Sequence, residues 1–454
     1  MDIPGQAPQG QTFPQGTQDI QPANEHQDQS QSRQDKSHDH KRLAERGNHG
    51  YVACSFLPVL PINPKDCKPV LLSPFRLERF FAQHEFRAPH LLCASDGETL
   101  SVADILDLIP GAERKFGRLR LGYTDSHGSP ALRATIATLY ETISPDDVLV
   151  HVGAEEAIYT FMAAALTAGD EVVVTTPCYQ SLTDVARSLG ARISPWRCDP
   201  SWGFAPDMGE LGVLLGSAPK ALVVNFPHNP TGYLPSRETF ASLVARAREH
   251  GTRVFSDEVY RFSEAEGVPT LPAACDLDPT AVSLGVLSKS YGLAGLRVGW
   301  VACRDRKILE AMAAVKDYLS ICGSAPSEFL ATCALGAGDR LLARMRGLLA
   351  VHRRLLEAFF LEHANLFHFV SPRGGLTAFP GLRSGDADAF CQAALDEAGL
   401  LLLPGRLYGP EWADRFRIGF GRADFPENLN RLDAFCQKWN ARRPGNEQER
   451  QVTN

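Results

Sequence analysis

Short apolar, β-branched runs alternate with helix-like segments through the middle of the chain, which predicts an α/β domain. The runs fall at 171–176, 221–226, 253–256, 281–287 and 298–303. Continuous apolar runs of this length suit strands buried on both faces of a mainly parallel sheet. Between two of them Ser236 is placed to cap a helix with Phe240, Leu243 and Val244 facing inward and Gly251 just past its end. Three earlier helices are predicted. One begins at Ser73-Pro74, with Leu77, Phe80 and Phe81 on one face. The next begins at Ser101, whose hydroxyl caps it while Asp104 favours its positive end, and carries Val102, Ile105, Leu106 and Ile109 as its apolar stripe. The third begins at Ser129-Pro130 and repeats Leu132, Ile136, Leu139 and Ile143 at helical spacing. Gly153-Ala154-Glu155-Glu156-Ala157 opens a helix that is apolar nearly all round to Leu166, so it is expected to be buried. Beyond about residue 330, long helical patterns with short strands near 366–370 and 415–420 predict a second, α+β domain. In such an architecture a ligand sits outside the carboxyl ends of the strands.

Composition supports two ordered domains between tails. The chain has 454 residues, 44% hydrophobic and 22% charged, which suits a soluble globular protein with a large core. Residues 1–49 are rich in Gln, Asp, His and Ser and are expected to be disordered. The segment 50–115, with an extended proline-bearing stretch at 57–69, is expected to join the smaller domain. Residues 116–328 form the expected large domain, 329–440 the C-terminal small domain and 441–454 a flexible tail. A net charge of −7 leaves no basic footprint for nucleic acid, and no apolar stretch reaches the ~20 residues that span a bilayer. Small-molecule partners are therefore expected. Eleven cysteines without a Cys-x-x-Cys pair suggest neither a disulfide framework nor a zinc site, so they read as reduced, mostly buried thiols, and no metal is expected. The tail lacks the apolar core of a secretory signal and is acidic from Asp2 onward, which makes the cytoplasm the expected compartment.

Candidate chemistry centres on Leu287-Ser288-Lys289-Ser290-Tyr291-Gly292-Leu293-Ala294-Gly295-Leu296-Arg297. A lysine in a small-residue turn can form an imine with an aldehyde. The arginine eight positions on can fork onto a phosphate, and the glycines let backbone approach a ligand closely. The free amides at the start of the helix opened by Gly153-Ala154-Glu155-Glu156-Ala157 can receive the same phosphate, although that turn alone would be ordinary. Asp257 at a strand end can hold a protonated ring nitrogen, and Tyr260, three residues on, can reach a ring oxygen. In isolation these two read equally as a helix cap and a core aromatic. Pro230 forces Asn229 out of helical geometry, so its amide can point across the strand ends, though an ordinary Asn-Pro turn fits as well. Tyr179, just past a strand in Pro177-Cys178-Tyr179, can stack on a ring.

Together and in this order, the motifs resemble the fold-type I pyridoxal-phosphate enzymes, the class I/II aspartate aminotransferase superfamily, over about residues 73–440. The resemblance implies a large α/β domain with a mainly parallel seven-stranded sheet, a smaller α+β domain, pyridoxal 5'-phosphate as cofactor, and a homodimer acting on amino acid and 2-oxo acid substrates. It implies Lys289 as the Schiff-base lysine and proton carrier, and Arg297 with the amides of Ala154 and Glu155 as phosphate ligands. Asp257 would pair with the pyridine nitrogen, Tyr260 and Asn229 with the ring oxygen, and Tyr179 would stack. Tyr123, in Leu121-Gly122-Tyr123, matches a tyrosine that reaches the phosphate of the neighbouring subunit, and Arg417 matches the arginine that takes the substrate α-carboxylate. Val286 stands where many relatives carry Ser or Thr as a phosphate ligand, which leaves Ser288 or Tyr123 to compensate. The blocks at 224–230, 372–380 and 404–409 resemble a capreomycidine synthase-like subgroup, whereas the loop at 94–99 differs from it. The implied activity is that of an aminotransferase. A lyase or cyclase on the same scaffold needs the same lysine, aspartate and arginine and is the alternative. A ligand-binding module without catalysis is disfavoured by the intact Lys289 and Asp257.

Overall fold

Eight strands form the central sheet of the protein, which a computed structural model describes over residues 72–441. The expectations for the 1–49 tail, the extended 57–69 stretch and the C-terminal tail past 441 lie outside the described residues. In chain order the strands are β1 (Val148–His151), β2 (Glu171–Thr176), β3 (Arg192–Asp199), β4 (Ala205–Pro206), β5 (Ala221–Asn225), β6 (Arg253–Asp257), β7 (Val282–Val286) and β8 (Gly299–Ala302). Their order across the sheet is β1-β8-β7-β6-β5-β2-β3-β4. Seven of them make the expected mainly parallel sheet, in which β8 alone runs against its neighbours. The two-residue β4 adds an antiparallel edge to β3.

Every residue of β1, β5, β7 and β8 is buried, so these strands show no polar alternation. Successive side chains still go to opposite faces. Val172, Val174, Val223 and Phe255 pack with Ala157, Ile158 and Phe161 of the helix Gly153–Ala165. Val173, Leu222, Val224 and Val254 pack with Phe240, Leu243 and Val244 of the helix Arg237–Glu249. Helices on both faces thus remove the sheet from water, and the hydrophobic burial on each side dominates its stability. Ser236 caps the second helix as expected, its hydroxyl accepting the Thr239 N–H at 3.1 Å.

Two helices are shorter than their apolar spacing suggests. Ser101 and Asp104 form the expected capping box, but the helix spans only Val102–Leu106, Ile109 lies beyond it, and Val102 is exposed. The helix Pro130–Ala137 stops before Leu139 and Ile143, which reach the same core from the turns that follow. There Pro145 disfavours helical geometry at Ser144, which instead caps the 3-10 turn Pro145–Asp147.

After the sheet come the helices Ala325–Gly336, Gly338–Glu362, Ala387–Ala398 and Phe425–Ala441, with short strands between them. The strand Phe416–Gly419 pairs antiparallel with both Thr377–Ala378 and Leu403–Pro404. The segment His90–Leu91 pairs in parallel with Leu400–Leu401, tying the N-terminal part of the described chain to this region. Among the described residues, nine cysteines are free thiols, all buried except the partly exposed Cys322. No described helix is long and apolar enough to cross a membrane.

Candidate active site

The sheet delivers the chemistry-bearing residues to one edge. Gly153 follows β1, Tyr179 follows β2, Asn225 ends β5, Asp257 ends β6 and Lys289 follows β7. Arg297 precedes β8, whose reversed direction places its start where the other strands end. Asn225 and Asp257 are register partners. A cavity of about 370 Å³ opens at this edge. Of the expected site residues, Ala154, Glu155, Tyr179, Asn229, Asp257, Tyr260, Ser288, Lys289 and Arg297 all line it.

Arg297 lies against the start of the helix Gly153–Ala165. Gly153 has φ of +81°, which lets the chain turn from β1 into the helix, and a Cβ there would collide with the Arg297 guanidinium. An arginine pressed on a helix start, with the amides of Ala154 and Glu155 beside it, makes a cradle for an anion of phosphate size. Val286, 4% exposed, brings no hydroxyl to this cradle, and Ser288 lines the cavity two residues on.

Asp257 is buried, and one carboxylate oxygen accepts the Val259 N–H at 3.2 Å. Burial pushes its carboxyl up to about 7, against the Val259 N–H and Lys289, which favour the anion. A cationic ring N–H facing it would restore the carboxylate. Burial pulls the Lys289 amine down to about 8; Asp96 and Asp257 oppose this, and Arg417 and Arg297 add to it. Lys289 Nζ donates to Ser95 Oγ at 3.3 Å and lies 5.7 Å from the centre of the Tyr260 ring. The Tyr260 hydroxyl donates to the Ser95 carbonyl at 3.1 Å.

Asn225 is a positioning residue that its sequence context did not single out. Its Oδ1 accepts the Asn229 N–H at 2.8 Å and its Nδ2 donates to the Asp257 carbonyl at 2.9 Å, locking two site segments together. The Tyr179 hydroxyl donates to Glu78 at 3.1 Å. Arg417 is 1% exposed but does not line the cavity. Its Nε and Nη2 donate to the Cys93 carbonyl at 3.0 and 2.7 Å, and its Nη1 donates to the Tyr408 hydroxyl at 2.8 Å. Tyr123 is 91% exposed and is likewise not brought to the cavity of its own chain.

Glu78, Glu85 and Arg422 reach the cavity unannounced by any motif, and Ser95 and Asp96 reach it from the 94–99 loop. Asp96 and Arg422 form a two-pronged ion pair, both contacts at 2.9 Å. The 94–98 segment enters the site because Gly419 and Gly421 present no side chain to it. A Cβ on either would collide with the backbone of Ala94 or Asp96. Glu78 and Glu85 lie on a short helix and at its cap and Arg422 follows a short strand, where a single charge carries no periodic signal that separates it from a solvated residue.

The cavity thus offers an amine, a buried carboxylate and an anion cradle in the arrangement that pyridoxal phosphate requires, and the residues present fit that group. Comparison with known proteins agrees. The family "Aminotransferase class I and II" matches residues 95–432. Capreomycidine synthase of Streptomyces vinaceus is 32% identical over 361 residues, covering 79% of this chain and 92% of that enzyme. A PLP-dependent aminotransferase structure from Streptococcus suis has a TM-score of 0.76 at 28% identity, covering 81% of this chain and 98% of that one. The PLP-dependent cyclase OrfR has a TM-score of 0.74 at 28% identity, covering 82% and 99%. Fold, site and kinship converge: the chain belongs to the class I and II aminotransferases, α/β enzymes whose cofactor is pyridoxal phosphate.

Proposed function

We propose that this enzyme moves an amino group between an amino acid and a 2-oxo acid, with Lys289 as its proton carrier. The observation that carries the reading is the one cavity lined by Lys289, Asp257 and the cradle of Arg297, Ala154 and Glu155. When bound, the cofactor supplies the electron sink that makes the substrate Cα–H acidic. The remaining work falls to the chain. Arg297 and the amides of Ala154 and Glu155 hold the phosphate. Asp257 keeps the pyridine nitrogen protonated, Tyr260 and Asn229 hold the ring oxygen, and Tyr179 covers the ring face. Lys289, whose amine burial lowers to about 8, loses its proton more readily than an exposed lysine and as the neutral amine can take the Cα proton at Nζ. Arg417 receives the substrate α-carboxylate in place of the Cys93 carbonyl, so substrate entry displaces that backbone contact. The functional unit is a homodimer in which Tyr123 reaches the phosphate of the neighbouring subunit, a reading supported by the exposure of Tyr123 and Leu121.

Lys289→Ala tests the assignment. Turnover should fall at least roughly 1,000-fold, and borohydride should no longer trap cofactor on this peptide. Retained transamination would rule the assignment out. Elimination or cyclisation is the second reading, favoured by the 32% identity to capreomycidine synthase and the likeness to a PLP-dependent cyclase. An amino donor added alone separates the two: transamination leaves the cofactor in its amine form, whereas elimination or ring closure returns its original absorbance.

A further inference from the structure

The helix Arg76–His84 turns a distinctive face to the cavity. Leu77, Glu78 and Phe81, together with Glu85 at its C-terminal cap, all line the wall of the site. Their spacing puts apolar surface between two carboxylates on one side of the helix. Neither carboxylate has a cationic partner within hydrogen-bonding distance among the described residues. Glu78 meets only the neutral Tyr179 hydroxyl, while Arg422, the cavity arginine away from the phosphate cradle, is taken up in both prongs by Asp96.

Charge balance sharpens the point. Once Arg297 serves the phosphate, Asp257 serves the ring nitrogen and Arg422 is paired with Asp96, Lys289 is the remaining cationic side chain on the cavity wall, and its chemistry requires the neutral amine. Glu78 and Glu85 are then left uncompensated. An acidic substrate side chain would meet these carboxylates and find Arg422 already occupied. A neutral aliphatic one would leave them desolvated and unpaired. Burial raises the Glu85 carboxyl above its ordinary value, and the anions of Asp96 and Glu78 add to this against the pull of Arg422 and Arg417. A cation at this wall would relieve that penalty.

We propose that the amino donor carries a long cationic side chain, an ammonium or guanidinium on a methylene stem. The stem lies along Leu77 and Phe81, and the head is recognised by the carboxylates of Glu78 and Glu85. This rests on the aminotransferase reading and adds a substrate class to it.

The test uses the cofactor-loaded enzyme and a panel of donors: lysine, ornithine and arginine against the neutral near-isosteres norleucine and citrulline, and against glutamate. Bleaching of the visible chromophore and steady-state turnover are both followed. Basic donors should exceed their neutral counterparts by roughly 10-fold or more in kcat/KM, mainly through KM. In the double variant Glu78→Gln with Glu85→Gln, the ratio of lysine to norleucine should fall to near one, and raised salt should weaken lysine more than norleucine in the parent enzyme. Both sites are partly exposed on one short helix, so Gln is expected to leave the fold intact, which the melting temperature checks. Equal or better turnover of norleucine or glutamate in the parent enzyme overturns the proposal, as does a preference that survives the double variant. A loaded enzyme whose chromophore no amino acid alters would instead overturn the aminotransferase reading itself.

Discussion

Glu155 is a carboxylate where an anion is expected to bind, and its surroundings decide whether that is tolerable. It lies in the first turn of the helix whose amides face the cavity, and it accepts the Ser181 hydroxyl at 3.1 Å. Burial pushes its carboxyl up to about 7; Glu78 adds to this, while the Ser181 hydroxyl and Arg297 work against it. Below that pH the group is neutral and leaves a phosphate unopposed. Above it, a second negative charge stands beside Arg297. The affinity of apo Glu155→Gln for pyridoxal phosphate, taken relative to the parent, should therefore rise as pH goes from 6 to 8.5, a ratio in which the titration of Lys289 and Asp257 common to both proteins cancels. An absorbance titration of both proteins across this range measures it, and parallel curves would exclude the role. At this scale the motif residues were legible because their chemistry is local: Lys289 and Arg297 lie eight positions apart in one run, and Asp257 and Tyr260 three apart in another. Glu78, Glu85 and Arg422 had no such local signature.

At the scale of elements, the sheet was the most legible part of the fold. The five runs picked out by continuous apolar character became β2, β5, β6, β7 and β8, with ends shifted by a residue or less. The missed β3 (Arg192–Asp199) shows why the signal can fail. It carries Pro195 and Arg197, and its burial is mixed because only its end is paired on the far side, by β4. Helix ends were less legible than helix existence, as the early stop at Ala137 shows. Apolar spacing continued through Leu139 and Ile143, but turns can bury the same residues against the same core. The cap and the core contribute on different scales of energy. Ser236→Ala removes one capping bond at a helix edge and should cost about 1 kcal/mol. Phe161→Ala empties a fully buried position stacked on Phe255 at 4.3 Å and should cost about 3–5 kcal/mol. Urea titrations of the apo variants check both, and a Phe161→Ala loss no larger than that of Ser236→Ala would contradict the packing described.

For the whole molecule, the exposed aromatic and aliphatic side chains near Tyr123 are the main unexplained cost. Leu121, Tyr123, Tyr318 and Ile321 are 80%, 91%, 93% and 53% exposed. The two loops that carry them are fastened together by buried charges. Lys316 Nζ donates to the carbonyls of Ser126 and Ile321 at 2.6 and 2.9 Å, while Glu328 accepts the Thr124 hydroxyl at 3.0 Å and the Ser129 N–H at 2.8 Å. Rigid support beneath an apolar surface suits an interface. The protein should therefore run at twice the chain mass in light scattering at micromolar concentration. Leu121→Asp with Tyr318→Asp should shift it toward monomer and weaken cofactor binding as the partner's tyrosine is lost. A parent protein that stays monomeric would remove the dimer from the account.

The sequence by itself determined the class of fold, five of the strands of the central sheet and the cofactor chemistry, because side-chain period and short motif spacing are properties of neighbouring residues. Only the tertiary structure decided which charges share one cavity. Asp96 and Arg422 meet across 326 positions, and the helix Arg76–His84 brings Glu78 and Glu85 to the same wall. It also decided that Arg417 is engaged by the Cys93 carbonyl, and that Lys289 and Asp257 titrate near neutrality. Burial and electrostatic balance sum over every group packed around a site, and that sum exists only once distant segments have come together.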